Sequence, residues 1–172
     1  MEYKRSVIVT RARGYLGAVE GSTQHKQIID AYNAYGREHG LNRGYVVQYH
    51  DAWCATFVSA IAILCEYTAI IPVECGCPQM VQIAKNMGIW QESDAYVPAP
   101  GDIVLYDWQD SGAGDDQGVP DHIGYVETVS GGQITVIEGN YNGAVRERRI
   151  AVNGRYIRGY ICPRYTDAAA GA

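Results

Sequence analysis

A chain of 172 residues, 47% hydrophobic and with six prolines, has the length and apolar share of one domain with an ordinary core. Its net charge of −5 and pI near 5.3 argue against nucleic acid as the main partner. No run of about eighteen apolar residues occurs, which excludes insertion of a membrane-spanning helix, and residues 1–10 lack the apolar core of a signal peptide. Cytoplasmic synthesis without a leader is the expectation.

Taken in order, residues 7–19 and 24–38 show apolar positions three and four apart, the second set being Ile28, Ile29, Tyr32 and Tyr35. Two amphipathic helices are predicted there, the second capped by Ser22 and stopped by Gly40. Residues 42–50 read as an irregular lead-in. From Cys54 to Tyr67 the sequence is almost unbroken apolar, free of Gly and Pro and too long for a typical strand, so a central helix is predicted. With Asp51 as its N-cap, Cys54 would be the third helical residue, its thiol near the positive end of the helix dipole, where thiolate is favoured. A buried cysteine is ordinarily inert packing, so its chemistry has to be argued from its partners. A further short helix is predicted over 78–87, with Pro78 in its first turn and Gly88 as its stop.

After Pro98-Ala99-Pro100-Gly101 the period changes to that of strands, over 103–108, 122–129, 133–138, 145–152 and 156–162. Helices followed by an antiparallel sheet make an α+β fold. The loop 109–120 carries Asp110, Asp115 and Asp116 and reads as solvated, without the spacing of a calcium loop. The arginines at 146, 148, 149, 155, 158 and 164 read as solvated strand faces. Fourteen tyrosines against one phenylalanine suit half-wet surfaces. Five cysteines leave at least one thiol unpaired, and Cys75-Gly76-Cys77 is too tight for a zinc knuckle, so no metal site is predicted.

A nucleophilic thiol needs a base, and the base needs a group to hold its ring. His25 and His39 lie in surface-helix patterns and His50 in the lead-in, whereas His122 opens a strand. In the next strand Ile134, Val136, Glu138 and Asn140 share a face, and a carboxylate ending an apolar row needs a partner. With Ser130-Gly131-Gly132 as a three-residue loop and Val129 opposite Gln133, His122 faces Asn140 and has Glu138 as its diagonal neighbour. A two-residue loop would shift the register by one and put His122 on the other face.

Trp53-Cys54 followed by Phe57-Val58, then Pro100-Gly101-Asp102-Ile103-Val104, then Asp121-His122-Ile123-Gly124-Tyr125-Val126-Glu127, then Glu138-Gly139-Asn140, in that order, resemble the CHAP family of cysteine- and histidine-dependent amidohydrolases and peptidases. The resemblance spans residues 22–164, with 1–21 as a helical extension of the same domain and 165–172 as a linker-like tail. It implies a papain-like α+β fold and hydrolysis of an amide bond in bacterial peptidoglycan, either between muramic acid and the stem peptide or within the peptide and its cross-bridge. The nucleophile maps onto Cys54, the base onto His122 and the orienting groups onto Glu138 and Asn140, with either of the last two able to fix the imidazole tautomer. Gln48 is placed for the oxyanion, six residues ahead of the cysteine as in papain-type enzymes. The Cys54 N–H is the other expected donor, so Asp51 is expected to bond Trp53 or turn away rather than cap Cys54. Trp53, Trp108 and Tyr141 flank these residues as candidate groove surfaces, Trp53 foremost, with buried packing as the alternative for each.

The absent leader and the tail resemble the phage lysins of the family, in which a wall-binding module could follow Ala172. The aspartate-rich calcium loop of some lysins is not matched by residues 45–51, so no calcium and no other cofactor is expected. A monomer is expected. Two alternatives stay open on the sequence: transamidation or deamidation of a protein side chain by the same triad, and a non-catalytic wall-binding or partner-binding module.

Overall fold

The computed structural model describes residues 2–40, 42–110 and 118–168. Its helices α1 (Arg5–Arg13), α2 (Thr23–His39), α3 (Cys54–Leu64) and α4 (Cys77–Asn86) precede strands β1 (Trp90–Gln91), β2 (Ile103–Tyr106), β3 (His122–Ser130), β4 (Gln133–Tyr141), β5 (Ala144–Ala151) and β6 (Ile157–Ile161). The strands form one antiparallel sheet in the order β1-β6-β2-β3-β4-β5. The α+β class predicted from the sequence is the one observed.

Local chemistry sets the helix ends. Ser22 caps α2, its hydroxyl accepting from the His25 N–H at 3.2 Å, and Gly40 ends the helix with φ +98°. The first helix stops at Arg13 rather than continuing to residue 19, because the chain turns at Gly14 and Gly17 takes φ +85°. α3 likewise stops before Tyr67, where Glu66 adopts φ +60° and the Tyr67 N–H returns to the Ala62 carbonyl. The two-residue β1 had no legible strand signal; it lies on β6 with Trp90 opposite Ile161.

Both faces of the sheet are apolar. Ile103, Leu105, Ile123, Tyr125 and Ile137 join the main core with the helices, while Val104, Tyr106, Val126, Ile134 and Val136 belong to a smaller cluster. α3 is seated on β3 and β4 by two close contacts. The Tyr125 hydroxyl donates to the Val58 carbonyl at 2.8 Å, and a Cβ on Gly139 would stand 2.4 Å from the Phe57 Cβ. Only glycine lets β4 approach the helix this closely one turn after Cys54.

The β3–β4 hairpin reaches its register by a different route from the one predicted. Ser130 pairs with Gln133, so the loop is the two-residue Gly131-Gly132, with φ +57° and +75°, which glycine adopts freely. That shifts the register by one near the tip, where Val129 pairs with Ile134. A bulge at Glu127 then takes up the extra residue, and Val126 pairs with Val136 and Tyr125 with Ile137. Inward of the bulge the alignment equals the predicted one as far as Tyr125 and Ile137, and beyond it the His122 ring meets the Glu138 carboxylate. The Glu127 carboxylate, buried at the bulge, pairs with Arg13.

The N-terminal helix is part of the fold, tied to β2 through a buried carboxylate. Asp102 accepts from Arg5 Nη1 at 2.9 Å, the Ala99 N–H at 2.9 Å and the Tyr96 hydroxyl at 3.2 Å. Tyr165 donates to the Gly101 carbonyl, Thr166 bonds Tyr3, and Asp167 accepts from the Arg5 N–H. These three residues, read from composition as the start of a linker-like tail, are thus bonded into the domain, and residues 169–172 lie outside the described residues. So do Asp115 and Asp116, while Asp110 is buried and its carbonyl accepts from Arg155. No helix among the described residues is long and apolar enough to cross a membrane.

Candidate active site

Cys54 is the first residue of α3, preceded by Trp53 as N-cap with φ −124° and ψ 19° and no side-chain cap. The expected cap, Asp51, is engaged elsewhere: its Oδ2 accepts from the Tyr45 hydroxyl and the Gln48 N–H, each at 2.7 Å. Asp51 therefore turns away from Cys54, whose N–H stays clear of that carboxylate, and the cysteine stands at the first helical position instead of the third. At the first position the thiol still lies at the positive end of the dipole, beside backbone N–H groups that the helix does not use. The Ala55 N–H is among the groups that favour the thiolate of Cys54.

The imidazole of His122 and the Cys54 sulfur influence each other directly, each favouring the charged form of the other. Its Nε2 meets Glu138 Oε2 at 2.9 Å, which leaves Nδ1 for the thiol. Between the sequence-stated alternatives, Glu138 makes the direct contact with the ring, whereas Asn140, at φ +57°, makes no side-chain hydrogen bond to it among the described residues. Gly124 makes the contact sterically feasible, since a Cβ there would lie 2.7 Å from the Glu138 Cγ and 2.6 Å from a Val136 methyl. Glu138 has no exposed surface, and such a carboxylate needs compensation. Arg148 supplies it, its Nε lying 2.9 Å and 3.0 Å from the two carboxylate oxygens. Sequence reading placed Arg148 on a solvated strand face; the available signal was its position on β5, opposite Val136 and diagonal to Glu138.

Aromatic rings complete this wall. Tyr106 and Trp108 stack at 4.8 Å between centroids, Tyr106 lies parallel to the His122 ring at 5.9 Å, and the Arg148 guanidinium sits 4.0 Å from the Tyr141 ring centroid. Trp108, His122, Asn140, Tyr141, Asn142 and Arg148 line a surface groove of about 350 Å³. Trp108 and Tyr141 lie on this groove. Trp53 does not: it has no exposed surface and packs edge-on against His25 at 4.8 Å. Its indole belongs to the core because the residue before a central helix is covered on every side. Gln48 is exposed and donates its amide N–H to the Val46 carbonyl at 2.7 Å, so the side chain read as an oxyanion donor is tied to its own loop.

The charge state of the pair follows from its neighbours. A bond from the Cys77 thiol, whose sulfur lies 3.8 Å away, is the largest influence holding the Cys54 thiol well below its ordinary pKa, against the opposing effect of burial and with the help of His122. Burial disfavours the charged imidazole, yet bonds to Cys54 and Glu138 outweigh it and raise His122 to about 9. The arrangement therefore favours thiolate and imidazolium together near neutrality, a nucleophile next to a proton donor. The role of Cys77 in this pair was not legible from its place in Cys75-Gly76-Cys77.

A family model described as CHAP domain matches residues 44–140, a little over half of the chain. No curated protein matches. Among solved structures, the crystal structure of Ly7917 with the hydrolyzing product of MDP is similar at 14% identity and a TM-score of 0.46, covering 93% of this chain and 63% of that one. A second crystal structure of Ly7917 gives 15% identity and a TM-score of 0.44, covering 93% and 62%. The chain spans less than two thirds of the length of these structures.

Proposed function

This chain belongs to the CHAP domain family of cysteine- and histidine-dependent amidohydrolases and peptidases, and on that premise we propose that it hydrolyses an amide bond of bacterial peptidoglycan through a thioester on Cys54. The observation that carries the reading is the row of groups from sulfur to guanidinium: the Cys54 thiol electrostatically coupled to His122, His122 bonded to buried Glu138, and Glu138 to Arg148. The Cys54 thiolate attacks the scissile carbonyl, and the resulting oxyanion is met by the uncapped Cys54 N–H, a contact worth about 3 kcal/mol in comparable sites. His122, protonated, gives its proton from Nδ1 to the departing amine. It then takes a proton from the water that attacks the thioester, releasing the acid and restoring the thiolate. Glu138 holds Nε2 throughout, so the ring keeps one orientation while its charge changes.

The bond cut is either the muramoyl to L-alanine amide or one within the stem peptide or its cross-bridge, and the groove flanked by Trp108 and Tyr141 offers flat surfaces to both sugar and peptide. As a phage-type lysin domain it would act on the wall as a monomer with no cofactor.

Digestion of purified peptidoglycan by the intact and Cys54→Ala proteins, with muropeptide mass spectrometry, tests the proposal. The intact protein is expected to release fragments carrying a new amine at one bond type, and the variant none. Equal release by both proteins, or none by either against walls of several chemotypes, would overturn it.

A further inference from the structure

We propose that Cys77 is a resolving thiol for Cys54: under a peroxide the two sulfurs join in an intramolecular disulfide that withdraws the nucleophile, and a thiol reductant restores it. The sulfurs are already 3.8 Å apart. Bond formation requires closure by on the order of 2 Å, within reach of side-chain rotation at both cysteines. Each thiol opens a helix, Cys54 at the start of α3 and Cys77 at the start of α4 behind Gly76, so the two helix starts converge on one point. The remaining cysteines are engaged elsewhere: Cys75 bonds Arg43, Cys65 interacts with Arg11 and Cys162 with Tyr96. At 8% and 6% exposure both thiols are nearly buried with their sulfurs facing each other, which favours an internal partner over a mixed disulfide.

The chemistry balances with a peroxide as oxidant. The Cys54 thiolate attacks one peroxide oxygen, the O–O bond breaks, and hydroxide leaves to become water with a proton from solvent; Cys54 is then a sulfenic acid. The Cys77 sulfur attacks the sulfenic sulfur, the S–O bond breaks, and the departing hydroxide takes the Cys77 proton. Two sulfurs have each lost one electron to the peroxide, and two waters have formed. Before oxidation, the bond to Cys54, burial and the charge of its thiolate hold the Cys77 thiol protonated. The sulfenic acid is neutral, so one influence that kept Cys77 protonated, the charge of the Cys54 thiolate, is gone as its proton passes to the departing hydroxide. A dithiol reductant reverses the bond by exchange.

The consequence for activity rests on the nucleophile assigned above, but the bond is detected without any substrate, so the two readings fail separately. Wild-type protein, Cys77→Ala and Cys77→Ser are treated with hydrogen peroxide, half of each is then reduced with dithiothreitol, and all are peptide-mapped under non-reducing conditions. Wild type is expected to lose two hydrogens and give a Cys54–Cys77 linked peptide that reduction removes. Both variants are expected to carry Cys54 onward to sulfinic acid, with at least tenfold less of the unmodified Cys54 peptide recovered after reduction. Sulfinic Cys54 in wild type without the linked peptide, or equal recovery of the Cys54 peptide in all three proteins, would overturn the proposal. The wild-type map decides even if a variant fails to fold.

Discussion

Two buried carboxylates, each next to a glycine in the chain, are paired with arginine on either side of β3, one at the start of β2 and one on β4, and only one of them is coupled to chemistry. Asp102 and Glu138 both have no exposed surface. Asp102 is surrounded by an arginine, a backbone N–H and a tyrosine hydroxyl, with no imidazole among these donors. Glu138 has an arginine too, but its other partner is an imidazole whose far side meets a thiol. A buried ion pair is therefore an ambiguous sign. The third member decides whether the charge fastens the chain or tunes a reaction.

That contrast is open to direct attack. Replacing His122 by alanine should lower kcat by about a thousandfold or more while leaving the thermal midpoint within a few degrees of wild type, because Arg148 still pairs with Glu138 when the ring is gone; calorimetry alongside muropeptide release checks both. Asp102→Ala should do the opposite, costing about 3 kcal/mol in urea unfolding by stranding Arg5 while activity per folded molecule is unchanged. An equal loss of activity there would erase the distinction between the two sites. Glu138→Gln keeps the shape and removes the charge, and should lower kcat by about a hundredfold.

The pH profile sharpens the comparison. Wild-type activity should be present once Cys54 is thiolate on the acid side and fall as pH rises through about 9, where His122 loses the proton it must donate. In Glu138→Gln that alkaline limb should move to lower pH, since the carboxylate no longer favours the imidazolium; a limb that stays in place would mean that Glu138 does not act through the ring. The smallest effect is expected of Arg148→Lys, about tenfold in kcat, because an ammonium keeps the charge and loses the contact with both carboxylate oxygens.

The helical half was legible because its signals are local: a serine cap, a proline in the first turn, and an apolar run too long to be a strand. Cys54 and His122 could be paired on residue type and position, and Glu138 on the rule that a carboxylate ending an apolar row needs a partner. What could not be read was whatever depended on approach between distant segments. Trp53 looks like a groove residue by proximity to Cys54, yet the burial of its indole is set by α2 and His25. Arg148 and Arg158 sit in one basic cluster with Arg146 and Arg149, and nothing local marks the two that pair with Glu138 and Glu92. Cys77 is equally silent, because its partner is reached only when α3 and α4 bring their first residues together.

The tip of the β3–β4 hairpin and the kink at Glu127 behave as offsetting errors in a reading frame. Trimming the turn to two residues moves every later side chain to the wrong side, and the surplus residue a few steps down moves them back before the strand reaches its chemical end. Length is consequently a protected quantity in this ribbon: one residue gained or lost at either place alone would turn the imidazole away from its carboxylate, whereas a matched pair of changes would be silent.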